Sequence, residues 1–359
     1  MSSRPLSFTS RPIAAAVLVL TLGAAACARR HGSESTGTTV SAEQAASQAS
    51  SAPGAADHPG KALYDRYCRL CHAADGTGYA ADNAPSLVSQ TFLESATDSF
   101  IAHGIRVGRP NTAMGAYGKE RGGPLDEPSI SSIVAYLRTK GPAAKPLRAE
   151  PASGDPGRGL QHYEQNCRTC HGSPELRGTA VLLENPELLA SASPEFLRYA
   201  IVHGRPPTSM PAFQGKLSSG AIEDIVSWLQ SRAPRGPASP KVTSTEIPDD
   251  LPIVVNPKGK APEFTLREGR FVSSEQVKRA LDQKRRIVIV DARSPADWIQ
   301  FRIPGAISLP YHDANRLERI PNDGTWVVAY CACPHHASGE VVDALRARKY
   351  PNTAVLDEG

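Results

Sequence analysis

Two short stretches of the chain place two cysteines and a histidine at the same spacing. They read CRLCH at residues 68–72 and CRTCH at residues 167–171. In a C-x-x-C-H arrangement, two thiols on one turn can bond to the vinyl groups of a haem while the adjacent histidine ligates the iron. The pattern therefore predicts two covalently bound haem c groups. The attachment cysteines and the iron-ligating histidines are Cys68, Cys71, His72, Cys167, Cys170 and His171.

Two other kinds of site use a CxxC pair. A structural zinc site needs a second CxxC or a nearby pair of histidines for each copy, and the sequence has neither. A CxxC redox pair does not require the histidine that follows both copies. We therefore favour haem attachment.

The sixth iron ligand is predicted to be a methionine in each copy. The chain has three methionines, and the two internal ones, Met114 and Met210, lie 42 and 39 residues after the histidine of their CxxCH motifs. A lone methionine is usually a core gap-filler, but matching positions in two haem repeats favour thioether ligation. His103 and His203, each followed by glycine, are the rival ligands; their other interpretation is a polar residue at a helix end.

The two motifs lie in two copies of one longer unit. HPGKALYDRYCRLCHAADGTG at 58–78 matches DPGRGLQHYEQNCRTCHGSPELRG at 155–178, and IAHGIRVGRPNTAMGAYG at 101–118 matches IVHGRPPTSMPAFQG at 201–215. Each copy ends with apolar residues spaced i, i+3, i+4 and i+7, which predicts an amphipathic helix. These residues are Ile130, Ile133, Val134 and Leu137 in the first copy, and Ile222, Ile225, Val226 and Leu229 in the second.

On these residues the repeats resemble class I c-type cytochromes, over residues 58–141 and 155–233. The resemblance rests on CRLCH and CRTCH, on the closing helices around Tyr136 and Trp228, and on the methionine segments. SMPAFQG fits the family's Met-Pro pattern, whereas AMGAYG has Gly115 in place of the proline. The family implies two all-α domains, each around one haem c, and one-electron transfer with redox partners of a respiratory chain.

The sequence pattern changes after a Pro-rich segment, residues 234–262, which we predict to be a linker. Ser273 and Gln276 form a capping-box pattern that opens a helix, and residues 337–348 have a helical pattern. Short β-branched runs predict strands. They are IVIVD (287–291), AISLP (306–310), WVVAYC (326–331) and TAVLD (353–357). Strands alternating with helices predict an α/β domain with a mainly parallel sheet over residues 263–359.

The segment AYCACPHHASGE places Cys331 at the end of one of these strands and just before a helix. A thiol in such a loop lies among the backbone N–H groups at the N-terminus of the helix. These groups lower the pKa of the thiol and make it a nucleophile.

This domain is similar to the rhodanese family, over residues 263–359. VDARSPADW at 290–298 resembles the family's Asp-x-Arg segment, and RIPGAISLP at 302–310 resembles its Ile-Pro-Gly-Ala strand entry. The cysteine loop is about one residue longer than the commonest form, and it carries His335 and His336 where sulfurtransferases often have arginine. The sequence stops where family members usually continue with a further helix, so we expect an incomplete C-terminus.

The resemblance implies that Cys331 accepts a sulfane sulfur as a persulfide, stabilised by loop amides and by His335 or His336. Cys333 is then a candidate resolving thiol. A second interpretation takes Cys331, Cys333, His335 and His336 as ligands of a soft metal such as copper or zinc. A third is an inactive domain that only binds a partner.

The N-terminal residues 1–27 predict an export signal. Two arginines precede an apolar run, residues 13–26, that is too short to span a membrane comfortably. Ala24-Ala25-Ala26-Cys27 resembles a bacterial lipobox, so we expect Cys27 to be lipidated; the alternative is an A-x-A cleavage site. The other six of the seven cysteines belong to the CxxCH motifs and the C-terminal loop, which leaves Cys27 without a partner. Residues 28–57, rich in Ser, Ala and Thr, predict a flexible tether.

The charge of the chain excludes one class of partner. The formal net charge is +4, and removal of Arg4 and Arg11 with the leader leaves +2, too little to predict binding to nucleic acid. The sequence therefore predicts a lipid-anchored dihaem cytochrome c on the periplasmic or outer side of a bacterial membrane. Our hypothesis is that its rhodanese-like domain couples electron transfer to sulfur chemistry with a sulfane-sulfur donor. The alternative is a pure electron shuttle whose third domain only binds a partner.

Overall fold

The computed structural model of the chain describes residues 58–236, 244–333 and 335–358. The predicted export signal, the tether and Cys27 lie outside these residues. Among the described residues, no helix is both long enough and apolar enough to cross a membrane.

The two repeats fold into the same succession of helices, as the sequence predicts. In the first repeat the helices are α1 (Pro59–Tyr67), α2 (Arg69–His72), α3 (Gln90–Ser95), α4 (Asp98–Val107) and α5 (Glu127–Arg138). In the second they are α6 (Pro156–Asn166), α7 (Arg168–His171), α8 (Pro186–Ser191), α9 (Pro194–His203) and α10 (Ser219–Ser231). Side-chain oxygens cap matching helices: Asp126 and Ser218 accept a backbone hydrogen bond at the starts of α5 and α10. All eight residues of the two predicted apolar stripes are buried.

A glycine allows the first and last helices of each repeat to cross in close contact. A Cβ added to Gly60 of α1 would lie 1.9 Å from the carbonyl oxygen of Ser132, and one added to Gly159 of α6 would lie 2.0 Å from that of Asp224. Only a residue without a side chain fits at such a crossing. This crossing holds each CxxCH helix, which follows α1 or α6 directly, against the closing helix.

The two repeats also pack against each other through equivalent elements. The rings of Phe100 in α4 and Phe196 in α9 lie 4.5 Å apart. On one side of this pair, Tyr199 donates to Glu94 at 2.6 Å; on the other, His103 Nε2 lies 3.1 Å from Glu187 Oε2. The repeats therefore form a paired unit, with related contacts on its two sides.

The C-terminal part of the chain forms a five-stranded parallel sheet with the strand order β1-β5-β4-β2-β3. The strands are β1 (Phe271–Val272), β2 (Ile287–Asp291), β3 (Ile307–Ser308), β4 (Trp326–Tyr330) and β5 (Thr353–Leu356). The helices are α11 (Ser274–Asp282), α12 (Pro295–Gln300) and α13 (His336–Ala347). The four strands that the sequence predicts are present, and the prediction of a mainly parallel sheet is confirmed. The two-residue strand β1 was missed because it is too short to show a period.

Two local predictions need correction. Ser273 Oγ accepts from the backbone N–H of Gln276 at 3.3 Å, but the Gln276 side chain bonds the backbone of Thr265, so only half of the capping box forms. Within the predicted linker, Val255 pairs with Ile287 through two backbone hydrogen bonds of 2.8 and 3.1 Å. The packing of the third domain therefore extends into the segment that was predicted to be linker.

Candidate functional site

The first CxxCH motif forms a short helical turn that orients one histidine. The Nδ1–H of His72 donates to the carbonyl oxygen of Pro85 at 2.9 Å. The other ring nitrogen, Nε2, then carries the lone pair that an iron ion needs. Burial lowers the pKa of His72, which favours the neutral, ligating form of the ring. The hydroxyl of Tyr64 donates to Ala73 O at 2.8 Å and holds the end of the turn.

The second motif repeats this arrangement contact by contact. The Nδ1–H of His171 donates to Val181 O at 2.7 Å, and burial lowers the pKa of this histidine as well. The hydroxyl of Tyr163 donates to Gly172 O at 2.8 Å. None of the four CxxCH cysteines forms a disulfide bond. Two thiols beside an imidazole with its Nε2 available are the donor set that haem c requires, so the residues present fit this group.

The two methionines lie in loops built in the same way. In each loop, the backbone N–H of an arginine donates to the methionine carbonyl, at 2.7 Å and 3.0 Å. In each, the methionine N–H donates to a threonine hydroxyl two residues earlier, at 3.1 Å and 3.3 Å. The residues of these loops are Arg109, Thr112 and Met114 in the first repeat, and Arg205, Thr208 and Met210 in the second. The structure therefore supports the prediction that the two methionine positions are equivalent.

The two histidines considered as rival ligands are not equivalent, which corrects the sequence comparison. His103 lies inside α4, 11 residues before Met114, whereas His203 ends α9, seven residues before Met210. The interpretation as a helix-end residue before a glycine holds for His203 alone. The two repeats align better on a Gly-Arg-Pro sequence, which begins six residues before each methionine, at 108–110 and 204–206.

The cysteine loop of the third domain follows β4 at the C-terminal edge of the sheet. Cys331 Sγ lies 3.3 Å from Cys333 Sγ and 3.2 Å from the hydroxyl of Ser338. A hydrogen bond from the Cys333 thiol lowers the pKa of Cys331 to about 5, and Ser338 and two backbone amides act in the same direction against burial. The pKa of Cys333 is raised, because its thiol donates to Cys331 and is itself buried.

One contact opposes this polarisation. Cys331 Sγ also lies 2.8 Å from Cys333 O, and a carbonyl oxygen can only accept, so this contact favours the protonated thiol. The donors around the sulfur, which are a thiol, a hydroxyl and two amides, outnumber this one acceptor. We therefore assign the thiolate to Cys331 and the thiol to Cys333.

The two histidines of the loop do not form hydrogen bonds with Cys331 within the described residues. The Nε2–H of His335 donates to Asp357 O at 2.5 Å, and its ring lies against Phe271 at 4.5 Å. His336 is exposed at the first position of α13. Ser338 instead provides the side-chain hydroxyl near the sulfur. The sequence analysis missed it, although it is the second residue of the predicted helix.

The described part of the chain contains no group of three or more His, Cys, Asp or Glu side chains that could hold a metal ion. The interpretation of this loop as a soft-metal site therefore lacks support from the geometry.

The cysteine loop faces the first repeat. Leu70, which lies inside the first CxxCH motif, and Ala113, which precedes Met114, pack against the hydrophobic cluster that contains Cys331 and Cys333. The sequence could not reveal this proximity, because the two loops are far apart in the chain.

Aromatic side chains complete this contact. The hydroxyl of Tyr311, in the third domain, donates at 2.8 Å to Tyr67 O, one residue before the first CxxCH. The ring of His312 lies edge-on to that of Tyr67 at 4.7 Å and near Tyr117 at 6.4 Å. Both ring nitrogens of His312 are buried and have no hydrogen-bond partner among the described residues.

Comparison with known protein families agrees with this geometry. The family model described as cytochrome C oxidase, cbb3-type, subunit III matches residues 55–137 and 154–229. The rhodanese-like domain model matches residues 273–359. The chain thus contains c-type cytochrome domains, a class that binds haem c covalently and transfers electrons. More particularly, it joins two tandem cytochrome c domains to a C-terminal rhodanese-like domain.

Curated relatives are similar to the cytochrome part of the chain. Dihydro-heme d1 dehydrogenase of Pseudomonas aeruginosa is 40% identical over 82 residues, which are 23% of this chain and 16% of that protein. The Cbb3-type cytochrome c oxidase subunit CcoP of Azospirillum sp. is 27% identical, over 48% of this chain and 60% of that protein. The cytochrome bc1 complex cytochrome c subunit of Mycobacterium bovis is 28% identical, over 49% and 65%. The chain therefore spans less than two thirds of the length of each of these relatives.

Proposed function

We propose that this protein is a dihaem electron carrier whose rhodanese-like domain passes electrons from sulfur chemistry at Cys331 to the first cytochrome domain. The observation that carries the proposal is that Leu70, inside the first CxxCH motif, and Ala113, next to Met114, pack against the hydrophobic cluster that contains Cys331. A thiol site placed against an electron carrier can deliver its electrons without a separate partner.

One haem c in each repeat would supply a one-electron couple. The proposed attachment residues are the four CxxCH cysteines, and the proposed axial ligands are His72, Met114, His171 and Met210. Pro85 O and Val181 O hold the two imidazoles in the tautomer that presents Nε2. The paired methionine loops hold two thioethers at matching places in the two domains.

At the sulfur site, the Cys331 thiolate attacks the outer sulfur of a sulfane donor such as thiosulfate. The S–S bond of the donor breaks, sulfite leaves with the electron pair, and a persulfide remains on Cys331. The Ser338 hydroxyl, 3.2 Å from the sulfur, and the loop amides stabilise the anion. Oxidation of the outer sulfur to sulfite would consume three waters and release six protons and four electrons. Two bound haem c groups, reoxidised by a redox partner between transfers, would supply the one-electron acceptors.

Anaerobic reduction of the purified ferric holoprotein by thiosulfate or polysulfide tests this function. We expect the absorption band of reduced haem to appear in the wild type and in His336→Ala, whose side chain is exposed, but not in Cys331→Ser. All three proteins should be reduced by ascorbate, which shows that the haems are intact. If Cys331→Ser is reduced by the sulfur donors as fast as the wild type, the coupling is refuted and a pure electron shuttle is the better function.

The axial ligands have a separate test. Loss of a thioether ligand lowers the midpoint potential of a haem. We therefore expect Met114→Ala and Met210→Ala each to lower one of two potentials in a spectroelectrochemical titration. His203→Ala should leave both potentials unchanged. A loss of potential in the histidine variant alone would assign the ligand to His203 instead.

We also propose that the protein is exported and anchored by a lipid on Cys27, facing the periplasmic or outer side of a bacterial membrane. The support for this is the leader sequence, and the similarity to subunits of cbb3 oxidase and bc1 complexes supports a redox partner in a respiratory chain. Labelling of the wild type with radioactive palmitate, beside Cys27→Ser, tests the anchor. Equal labelling of the two proteins would contradict it.

A further inference from the structure

The cysteine loop contains a second thiol that the persulfide chemistry does not use. Cys333 lies two residues after Cys331, and the two sulfur atoms are 3.3 Å apart. Both side chains are buried, with 2% and 5% of their surface exposed. Transfer of a sulfane sulfur to Cys331 requires only one nucleophile, so the role of the second buried thiol is open.

The surroundings of the pair distinguish its two members. Cys331 Sγ lies 3.3 Å from Cys333 Sγ and 3.2 Å from Ser338 Oγ, and as the assigned thiolate it accepts from both. A neighbouring thiolate and thiol are the two forms from which a disulfide is made, since one sulfur attacks and the other gives up its proton. The pair also lies in the hydrophobic cluster against which Leu70 and Ala113 of the first cytochrome domain pack.

We propose that Cys331 and Cys333 form a dithiol/disulfide redox pair that exchanges two electrons with the cytochrome domains. In the oxidising direction, an S–S bond forms between the two sulfur atoms and the S–H bond of Cys333 breaks. One proton leaves to solvent, and two electrons pass to two ferric haems, one to each. This inference rests on the dihaem carrier proposed above and adds a two-electron centre to it. Both thiols are buried, next to the domain that would accept the electrons.

Counting oxidising equivalents in the holoprotein tests the pair. The protein is fully reduced without oxygen, freed of reductant, and titrated with ferricyanide while haem absorption is followed. We expect the wild type to consume four equivalents per chain, two for the haems and two for the pair. Cys333→Ser and Cys333→Ala should each consume two, and His335→Ala, which keeps both thiols, should consume four.

Mass spectrometry of the same samples gives an independent readout. After denaturation and alkylation, the oxidised wild type should carry no label on Cys331 or Cys333, and the reduced form should carry two. Consumption of only two equivalents by the wild type, with both cysteines still alkylated, would overturn the inference. Because this count uses no sulfur donor, it can refute the redox pair even if sulfur-dependent haem reduction is observed. Conversely, the proposed sulfur chemistry can be refuted while the pair still consumes two oxidising equivalents.

Discussion

The acidity of Cys331 predicts an unusual pH profile for its alkylation. With a pKa of about 5, Cys331 is about 99% thiolate at pH 7. An ordinary thiol, with a pKa of 9.0, is only about 1% thiolate at this pH. The reactivity of a thiolate falls by about 0.4–0.5 log units for each unit by which its pKa falls, so a pKa four units lower reduces the rate per thiolate by about 40- to 100-fold. The two effects nearly cancel at pH 7. The absolute rate is therefore uninformative, and the shape of the profile carries the test.

Between pH 6.5 and pH 8.5 we expect the alkylation rate of Cys331 to be flat, whereas the rate of an ordinary thiol rises about 75-fold over this range. Burial of the sulfur does not change this expectation, because opening of the loop multiplies the rate at every pH by the same factor. The assay uses iodoacetamide on reduced holoprotein without oxygen. Tandem mass spectrometry then assigns the label to Cys331 or Cys333, which lie on one tryptic peptide.

Variants identify the cause of the low pKa. Cys333→Ala removes the strongest hydrogen bond to the thiolate, so the pKa of Cys331 should rise and the profile should bend upward within this range. Ser338→Ala should have a smaller effect in the same direction. His335→Ala should have none, since that ring bonds Asp357. A wild-type rate that climbs tenfold per pH unit from 6.5 to 8.5 would refute the assignment of the thiolate.

Two further predictions concern stability. Gly159→Ala should lower the free energy of unfolding by at least about 2 kcal/mol, because its Cβ would lie 2.0 Å from Asp224 O. Gly220→Ala, which meets only one atom at 3.9 Å, should be neutral or stabilising by up to about 1 kcal/mol, and equal urea midpoints for the two variants would contradict the helix-crossing argument. Burial raises the pKa of Asp297 to about 6 from 3.8, so the folded state favours the protonated carboxyl. The free energy of unfolding of the wild type should therefore fall by up to about 3 kcal/mol as the pH rises from 4 to 7. In thermal melting, Asp297→Asn should show a flatter pH profile than the wild type. Identical profiles for the two proteins would show that the carboxyl titrates normally.

Local sequence patterns were sufficient where short-range physics decides the structure. Each CxxCH motif brings its own thiols and histidine onto one helical turn, so the haem-attachment residues could be identified without a fold. The apolar stripe of α10 and the strand β2 likewise appear at the predicted positions. Burial of one helical face leaves a helical period, and burial of a whole strand leaves a continuous β-branched run. The two-residue strand β1 leaves no such period.

Predictions failed or were missed where a side chain chooses among several partners. Two histidines beside a reactive cysteine suggested an interaction with it, but His335 bonds Asp357 after β5, and Ser338 contacts the sulfur instead. Repeated His-Gly pairs suggested equivalent positions, but the backbone hydrogen bonds align Arg109 with Arg205 and shift His103 away from His203. Residue type alone cannot rank such partners, because the direction of a side chain depends on the backbone that carries it.

The sequence by itself determined that this chain carries two haem-attachment motifs in repeated helical domains and a thiol at the end of a strand of a parallel sheet. Only the tertiary structure decided that this thiol lies beside the first cytochrome domain rather than in open solvent. It also decided that Cys333 polarises Cys331 and that both are buried. The physical reason is that contacts between loops more than 200 residues apart depend on how whole domains pack, as in the hydrogen bond from Tyr311 to Tyr67. No local period or spacing in the sequence records that packing.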